Sequence, residues 1–568
     1  MITVLAGYIF AAIFTTYPLI FKLGTHLPGQ PGDAYSYLWN IWIFQHQLLN
    51  GQNLFNTDMI MAPIGANLYF NTYAPLVSVF GLFFKNNLSS YLGVLIILSI
   101  TVSSFFMYLL SYRITKNKMA SFLGGLVYGM APIIQSFIQS QHYYFLFASP
   151  FFPLAVLFLV NFFEKRELKH LYLSIAFFWP VLSIDYYSSI LYALLIILFI
   201  VLNEKEIFKN FINYVIAGLV VIVVPFLTLT LVDSNLNEFV RHTQESNTSN
   251  SCNTNLTDFF IPDRNSLFLS KYSYELRNIT KTQINYDTPS YFLGWGIFII
   301  ALISMITNRR VKFVISFSVI FIFFLAISLG TNIKVGDFSI LSGKETPFYY
   351  FIQIPILSML GCTIRFPIIM QMCIAILISI YISKNKKLIR VTIAILVLII
   401  VEYSTRNIDF SVINVPAIYS KIASENNNKT VLEMPSGITE SIGAFGYDWS
   451  IQALHSQQMY WQTAYQKPRI GAYISRLTSD KYVFFRNEPV ISEIFEFTSL
   501  GGTRPLSDIP GEDIKMFINK FKLGYIVLSP NNRQHEFSEF VENEFGNYIK
   551  SKQNIDGYIL YILLDNHS

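Results

Sequence analysis

A polytopic α-helical membrane domain followed by a C-terminal soluble α/β domain is the fold class this sequence predicts, and three observations predict it. Only 13% of the 568 residues are charged while 53% are hydrophobic, and the mean hydropathy is +0.45; a soluble chain carries about 25% charge. The apolar residues gather into runs near the roughly 20 residues that cross a bilayer. The charge deficit ends near residue 405, beyond which the texture is that of a globular domain. The net charge of +5 is small for this length and gives no footprint for a nucleic-acid partner.

Spans are expected near 2–21, 91–112, 119–138, 143–163, 171–186, 187–203, 211–232, 289–306, 312–330, 365–383 and 387–404, about 11–12 in all. Residues 2–21 are too long and too uniformly apolar for a signal-peptide core, so a retained first span is expected. Basic clusters at Arg113/Lys116/Lys118, Lys165/Arg166/Lys169, Lys205/Lys209, Arg309/Arg310/Lys312 and Lys384/Lys386/Lys387/Arg390 mark every second connection as cytoplasmic. The outer side then receives loops 22–90, 233–288 and 331–364, short turns near 139–142 and 184–188, and the tail. Residues 72–84 are apolar but short; a re-entrant or interfacial segment fits the parity, and a short span is the alternative. The domains are therefore expected at 1–404 and 405–568.

In the tail, Thr430–Met434, Tyr525–Leu528 and Tyr558–Leu564 read as strands, and His535–Lys550 reads as an amphipathic helix. The Asn/Ser/Thr-rich run 246–257 reads as a flexible loop. Cys252, Cys362 and Cys373 have no metal-ligand spacing. A Cys252–Cys362 disulfide stays open, because both fall on the outer side.

The most unusual stretch is Leu27-Pro-Gly-Gln-Pro-Gly-Asp33-Ala-Tyr-Ser-Tyr-Leu-Trp-Asn40. It sets one carboxylate, Asp33, in a Pro/Gly turn before an aromatic helix. Tyr35, Leu38, Trp39, Trp42 and Leu49 share one arc of that helix, with Ser36, Asn40 and Gln47 facing away, so a helix lying in the membrane interface is expected. Asp33 is either an N-cap for this helix or a general base at the membrane surface.

The other outer polar groups are His142, Asp185, Asp258, Asp263, Asp287, Lys344, Glu345 and Arg365. Ionisable groups near a membrane are candidates for function. Each also has a plain role: capping for Asp185 and Asp287, solvation for Asp258 and Asp263, interfacial packing for His142, and snorkelling to lipid phosphate for Arg365. Together they suit sugar transfer from a lipid-phosphate donor. Asp33 would take a proton from the acceptor hydroxyl, Arg365 would hold the departing phosphate, and Lys344 would add charge to the leaving group. In the tail, Gln462, Lys467 and Arg476 could meet an acceptor glycan, with Trp461 and Tyr465 either sugar platforms or core aromatics. There is no G-x-x-x-x-G-K-[ST] loop.

The order of motifs resembles the GT-C fold of integral membrane glycosyltransferases. Gly32-Asp33 with Tyr-Leu-Trp-Asn40 is followed by Met61-Ala-Pro63-Ile-Gly65, then His142 ahead of Phe-Pro153-Leu, then Asp258-Phe-Phe-Ile-Pro262 and Tyr291-Phe-Leu-Gly294. Ser328-Leu-Gly330-Thr leads to Pro347-Phe-Tyr and Ile-Arg365-Phe-Pro. The tail adds Val431-Leu-Glu-Met-Pro435, Tyr460-Trp-Gln-Thr463, Lys467-Pro468 and Gly471-Ala-Tyr-Ile-Ser-Arg476. The resemblance is nearest the YfhO-like prokaryotic branch. It implies a membrane glycosyltransferase in a prokaryotic plasma membrane with an extracytoplasmic C-terminal domain. Asp33 would be its first-loop acid, Arg365 a phosphate contact, and His142, Asp258, Lys344 and Glu345 substrate contacts. The implied partners are a lipid-linked sugar donor and a glycan, lipid or protein acceptor. Transfer from a polyprenyl-phosphate donor would be inverting. A divalent cation, Mg or Mn, is compatible with the family, but Asp33 is followed by Ala34 rather than a second acid, so no metal site is defined. The alternatives are a transporter or flippase of lipid-linked glycans and an assembly protein on a degenerate transferase fold.

Overall fold

The computed structural model describes residues 1–29, 32–68, 71–84, 87–204, 211–219, 254–282, 290–354, 357, 360, 363–385, 388–406, 408–439, 444–445, 452–475, 477–499 and 509–564. Cys252, Asp287, Cys362, Arg476 and most of the expected span 211–232 lie outside them. The chain folds into two compact units with interleaved sequence: Met1–Gln30 with Ser89–Ser411, and Pro31–Leu88 with Val412–Ser568. The loop read as part of the membrane domain thus belongs to the same unit as the tail.

The first unit is helical. Among the described residues, five helices are long and apolar enough to cross a membrane: Leu88–Thr115, Lys118–Gln139, Tyr143–Lys165, Tyr186–Asn203 and Pro367–Lys384. Ile2–Thr15, Leu168–Leu182, Trp295–Thr307 and Val314–Ser328 are apolar but shorter. The first expected span stops early because Pro18 cannot continue the hydrogen-bond ladder.

Pro367–Lys384 is the core of this unit and is buried almost all round. Helix Lys118–Gly129 packs against it at Gly124, and against helices Ile2–Thr15 and Leu88–Thr115 at Gly125 and Gly129. A side chain at Gly124 would run into Ser379 and Ser111, at Gly125 into Tyr8, and at Gly129 into Ser104. Small residues let backbones approach where apolar solvent gives no other reason for helices to associate. The motif Tyr291-Phe-Leu-Gly294 also has a structural cause. Gly294 has φ +83°, and the next helix, Trp295–Thr307, begins under the carboxylate of Glu402. Glu402 accepts from the backbone N–H groups of Gly296 (2.7 Å) and Ile297 (3.3 Å), two of the donors a helix start leaves unpaired.

The second unit holds a four-stranded sheet in the order Ile549–Ile555, Tyr558–Leu563, Leu523–Leu528, Thr430–Met434. The first two pairings are antiparallel and the last is parallel. Three strands lie where the sequence put them. The fourth, Ile549–Ile555, takes in only the last two residues of the helix expected over His535–Lys550, which instead runs from Gln534 to Phe545. Its alternating Lys and Asn side chains suit an exposed edge strand and look helical only in isolation. A smaller sheet places Ile438–Thr439 between Ala472–Tyr473, parallel, and Ala444–Phe445, antiparallel.

Helix Ala34–Leu49 corrects the expectation of an interfacial helix. It packs along helix Gln452–Tyr465, and Trp39, Ile43 and Phe44 join one core with Met59, Ile60, Leu432, Met434 and Ile526. Ser36, Asn40 and Gln47, expected in water, are buried. Asn40 bonds the Thr72 carbonyl (2.8 Å) and the Asn71 amide (2.9 Å); Gln47 bonds the Asn56 carbonyl (2.6 Å) and the Tyr73 hydroxyl (3.1 Å). Leu49, expected on the apolar arc, is 67% exposed. Internal hydrogen bonds let the polar face be buried, so periodicity alone misplaced it. In residues 72–84 the helix Pro75–Gly81 and the turn Leu82–Phe84 are too short to cross a bilayer. They pack on Ala34–Leu49, where Gln45 reaches the Ser78 carbonyl at 3.3 Å.

Candidate functional site

Asp33 stands at the start of helix Ala34–Leu49 but does not cap it, and its side chain makes no capping hydrogen bond. That task falls to Ser456 on the facing helix. Ser456 Oγ accepts from the Ser36 N–H (3.1 Å) and donates to the Gly32 carbonyl (2.7 Å). Asp33 Oδ1 instead accepts a hydrogen bond from the Tyr473 hydroxyl. Tyr473 lies beside Thr439 in the parallel pairing, so the two side chains share a face of that sheet. Thr439 Oγ1 in turn bonds Nδ1 of the buried His455 at 2.9 Å. Asp33, Tyr473, Thr439 and His455 are thus a polar group in which the acid stays partly open to solvent.

The first unit contains a centre around Arg365. Its guanidinium carbon lies 4.1 Å from the Phe145 ring centroid and 3.7 Å from that of Tyr187, so the cation is held between two aromatic faces. Arg365 immediately precedes helix Pro367–Lys384. A cation at a helix N-terminus is unfavourable on its own, and the two positive ends together favour an anion. His142, half-buried and 5.6 Å from Phe145, bonds Ser140 Oγ through Nδ1 (2.9 Å). Burial, then the Arg365 charge, lower its imidazole to about 3. Asp185 caps helix Tyr186–Asn203 by accepting from the Ser188 N–H at 2.6 Å. Burial raises its carboxyl, and Arg365 opposes that rise. Phe145 and Tyr187 hold Arg365 between their rings.

A model of the family described as domain of unknown function DUF6311 matches residues 3–403. The chain belongs to the DUF6311 family. No curated protein matches it. Among solved structures, this DUF6311 protein is similar to the arabinofuranosyltransferase AftD from Mycobacteria, with a TM-score of 0.52 at 12% identity over 100% of this chain and 40% of AftD. It therefore spans two fifths of AftD's length. It is also similar to the Archaeoglobus fulgidus oligosaccharyltransferase tethered with an acceptor peptide (TM-score 0.43, 10% identity, 97% of this chain and 72% of the other). The archaeal oligosaccharyltransferase AglB, in complex with an inhibitory peptide and a dolichol-phosphate, gives 0.36 at 11% identity over 93% and 69%. The fold argument rests on AftD, and it shows the GT-C type of fold that the motif order implied.

The remaining expected site residues of the DUF6311 protein have local partners of their own. Asp258 closes a capping box with Asn255 (3.1 Å) and pairs with Arg277 at 3.4 Å; burial raises its carboxyl and Arg277 opposes that. Asp263 accepts from the Asn265 N–H at 2.7 Å. Lys344 and Glu345 are exposed on a 3-10 turn, where Glu345 caps Ser342. In the second unit Trp461 and Tyr465 are buried against Tyr419, so they are core aromatics and not sugar platforms. Gln462 accepts from Trp39 Nε1 at 2.7 Å, and buried Lys467 donates to the Glu425 and Asn427 carbonyls at 2.6 Å each. Among the described residues no three His, Cys, Asp or Glu converge to hold a metal. Sequence reading missed roles for Phe145, Tyr187, Ser456 and Tyr473. Tyr473 sat inside the quoted Gly471-Ala-Tyr-Ile motif, and Tyr187 beside Asp185; Phe145 gave no signal.

Proposed function

We propose that this protein is a membrane glycosyltransferase, near the YfhO-like branch in motif order, that moves a sugar from a polyprenyl-phosphate donor to a cell-surface acceptor. It works at the outer face of a prokaryotic plasma membrane, with the tail extracytoplasmic. The observation that carries this reading is the release of Asp33 from capping: Ser456 serves the helix, and the carboxylate stays partly open on the Tyr473 hydroxyl. A carboxylate needed only for structure would be expected to cap.

In the proposed reaction Asp33 takes the proton of the acceptor hydroxyl. The acceptor oxygen forms a bond to the anomeric carbon as the carbon–oxygen bond to phosphate breaks, and the electron pair leaves with the lipid phosphate. One displacement inverts the anomeric centre. Arg365 is assigned to the phosphate, its guanidinium oriented by Phe145 and Tyr187 so that paired donors are presented to phosphate oxygens.

The test compares lipid-linked and surface glycans in cells carrying the wild type, a deletion, and Asp33→Asn. Loss of one sugar with accumulation of its lipid-phosphate donor in both variants is expected. If Asp33→Asn restores the deletion fully, the base assignment fails and transport or assembly becomes the better reading.

A further inference from the structure

Among the described residues, none covers the hairpin formed by Asn332–Val335 and Phe338–Ser342. All five residues of its second strand are exposed, with Phe338 at 80% and Ile340 at 57%. A strand normally buries one of its two faces, and a lone two-stranded hairpin is marginal in water. This one is nonetheless held firmly at its turn. Gly336 (φ +60°) lies against the Thr280 carbonyl, where a side chain would not fit. The Asn255 amide donates to the Gly336 carbonyl (2.7 Å) and accepts from its N–H (3.1 Å). Ile279, next to Thr280, is exposed as well.

We infer that this hairpin is a membrane anchor, with Phe338, Ile340 and Leu341 among the acyl chains at the bilayer surface and Lys334 and Lys344 at the lipid phosphates. Two observations fix lipid as the occupant. Only Leu329, Gly330 and Thr331 separate the first strand from the apolar helix Val314–Ser328. Four peptide steps reach about 14 Å at most, so the hairpin begins within the interfacial layer of a bilayer. The side chains also have the right order. Phe338, Ile340 and Leu341 are flanked by Lys334 before and Lys344 after, while the exposed Asp337 lies at the turn beside Gly336 and Glu345 caps Ser342; cations flanking apolar groups are the arrangement of segments that lie in the interface. The assignment makes Lys344 a lipid contact and is independent of any transfer reaction.

The test uses the full chain in nanodiscs of phosphatidylcholine with phosphatidylglycerol. Single cysteines at 338 and 340, in a background with Cys252, Cys362 and Cys373 changed to Ser, receive an environment-sensitive fluorophore. Nitroxide at acyl carbon 5 is expected to quench both sites roughly two-fold, while aqueous cobalt chelate leaves them protected. Full cobalt access without nitroxide quenching overturns the anchor. Protection from cobalt without nitroxide quenching assigns the face to protein and also overturns it. Phe338→Trp in the otherwise unaltered chain, read by bromolipid quenching of the added fluorescence, gives the same decision without replacing the cysteines.

Discussion

Asp33 shows what one residue can be spared from doing. A serine more than four hundred positions away meets the helix N-terminus, and the carboxylate accepts from the Tyr473 hydroxyl instead. Ser456→Ala should therefore weaken the second unit by about 1 kcal/mol, as loss of a cap does, while Asp33→Asn leaves thermal stability nearly unchanged. A buried pair makes a stronger claim. Arg469 and Glu433 are both fully enclosed and meet at 2.8 Å. Arg469→Met should cost about 3–5 kcal/mol in a denaturant titration, because it strands a buried carboxylate, and adding Glu433→Leu should recover much of that. His142 gives a pH dependence. Its folded imidazole titrates at about 3, so between the unfolded value near 6.5 and 3 the unfolded chain binds more protons. The stability it contributes is full above that range and is lost as pH falls through it; His142→Gln should flatten the slope of melting temperature against pH there. Asp33 was legible in the sequence because a Pro/Gly turn before an aromatic helix is a local signal. Tyr473 as its partner was not, because the 440-residue separation leaves no trace in spacing.

At the scale of elements, what could be read was whatever a single element decides for itself. Thr430–Met434 and Tyr558–Leu563 are apolar runs rich in strand formers, and they are strands. The helix expected over His535–Lys550 ran two residues into the edge strand, and the aromatic helix was misplaced, because partners, and not their own pattern, set their state. The glycines of Lys118–Gly129 belong to the same class: their role is visible only with Ser104, Tyr8 and Ser379 in place. Gly129→Val should overpack the contact with Ser104 of helix Leu88–Thr115 and lower stability by roughly 1–3 kcal/mol, while Gly218→Val, which meets nothing among the described residues, should not. Thermal unfolding in detergent separates the two variants. Glu402 joins the start of one helix to the end of another, a link between residues 106 positions apart that hydropathy could not suggest.

At the scale of the molecule, the membrane class and the GT-C resemblance were legible from composition and motif order, and the interleaving of the two units was not. Hydropathy divides a chain by position, whereas the core of the second unit joins Trp39, Phe44 and Ile60 to Leu432 and Ile526. Residues 412–568 expressed alone should therefore lack a cooperative unfolding transition, and supplying residues 32–84 by fusion should create one. Tryptophan fluorescence, with Trp39 and Trp461 both buried in that unit, would follow it. A tail equally stable without the segment would show that the discontinuous core is dispensable.

That discontinuity has a consequence during biosynthesis. More than three hundred residues separate Phe84 from Val412. At ~5–20 residues per second the ribosome needs on the order of tens of seconds to make them. For all that time helix Ala34–Leu49 has only the partners supplied by residues 51–84 and lacks helix Gln452–Tyr465 and the sheet. Its arc of Tyr35, Leu38, Trp39 and Trp42 suits it to rest on a bilayer surface until the tail emerges. The amphipathic pattern that misplaces this helix in the finished protein describes where the nascent chain can keep it.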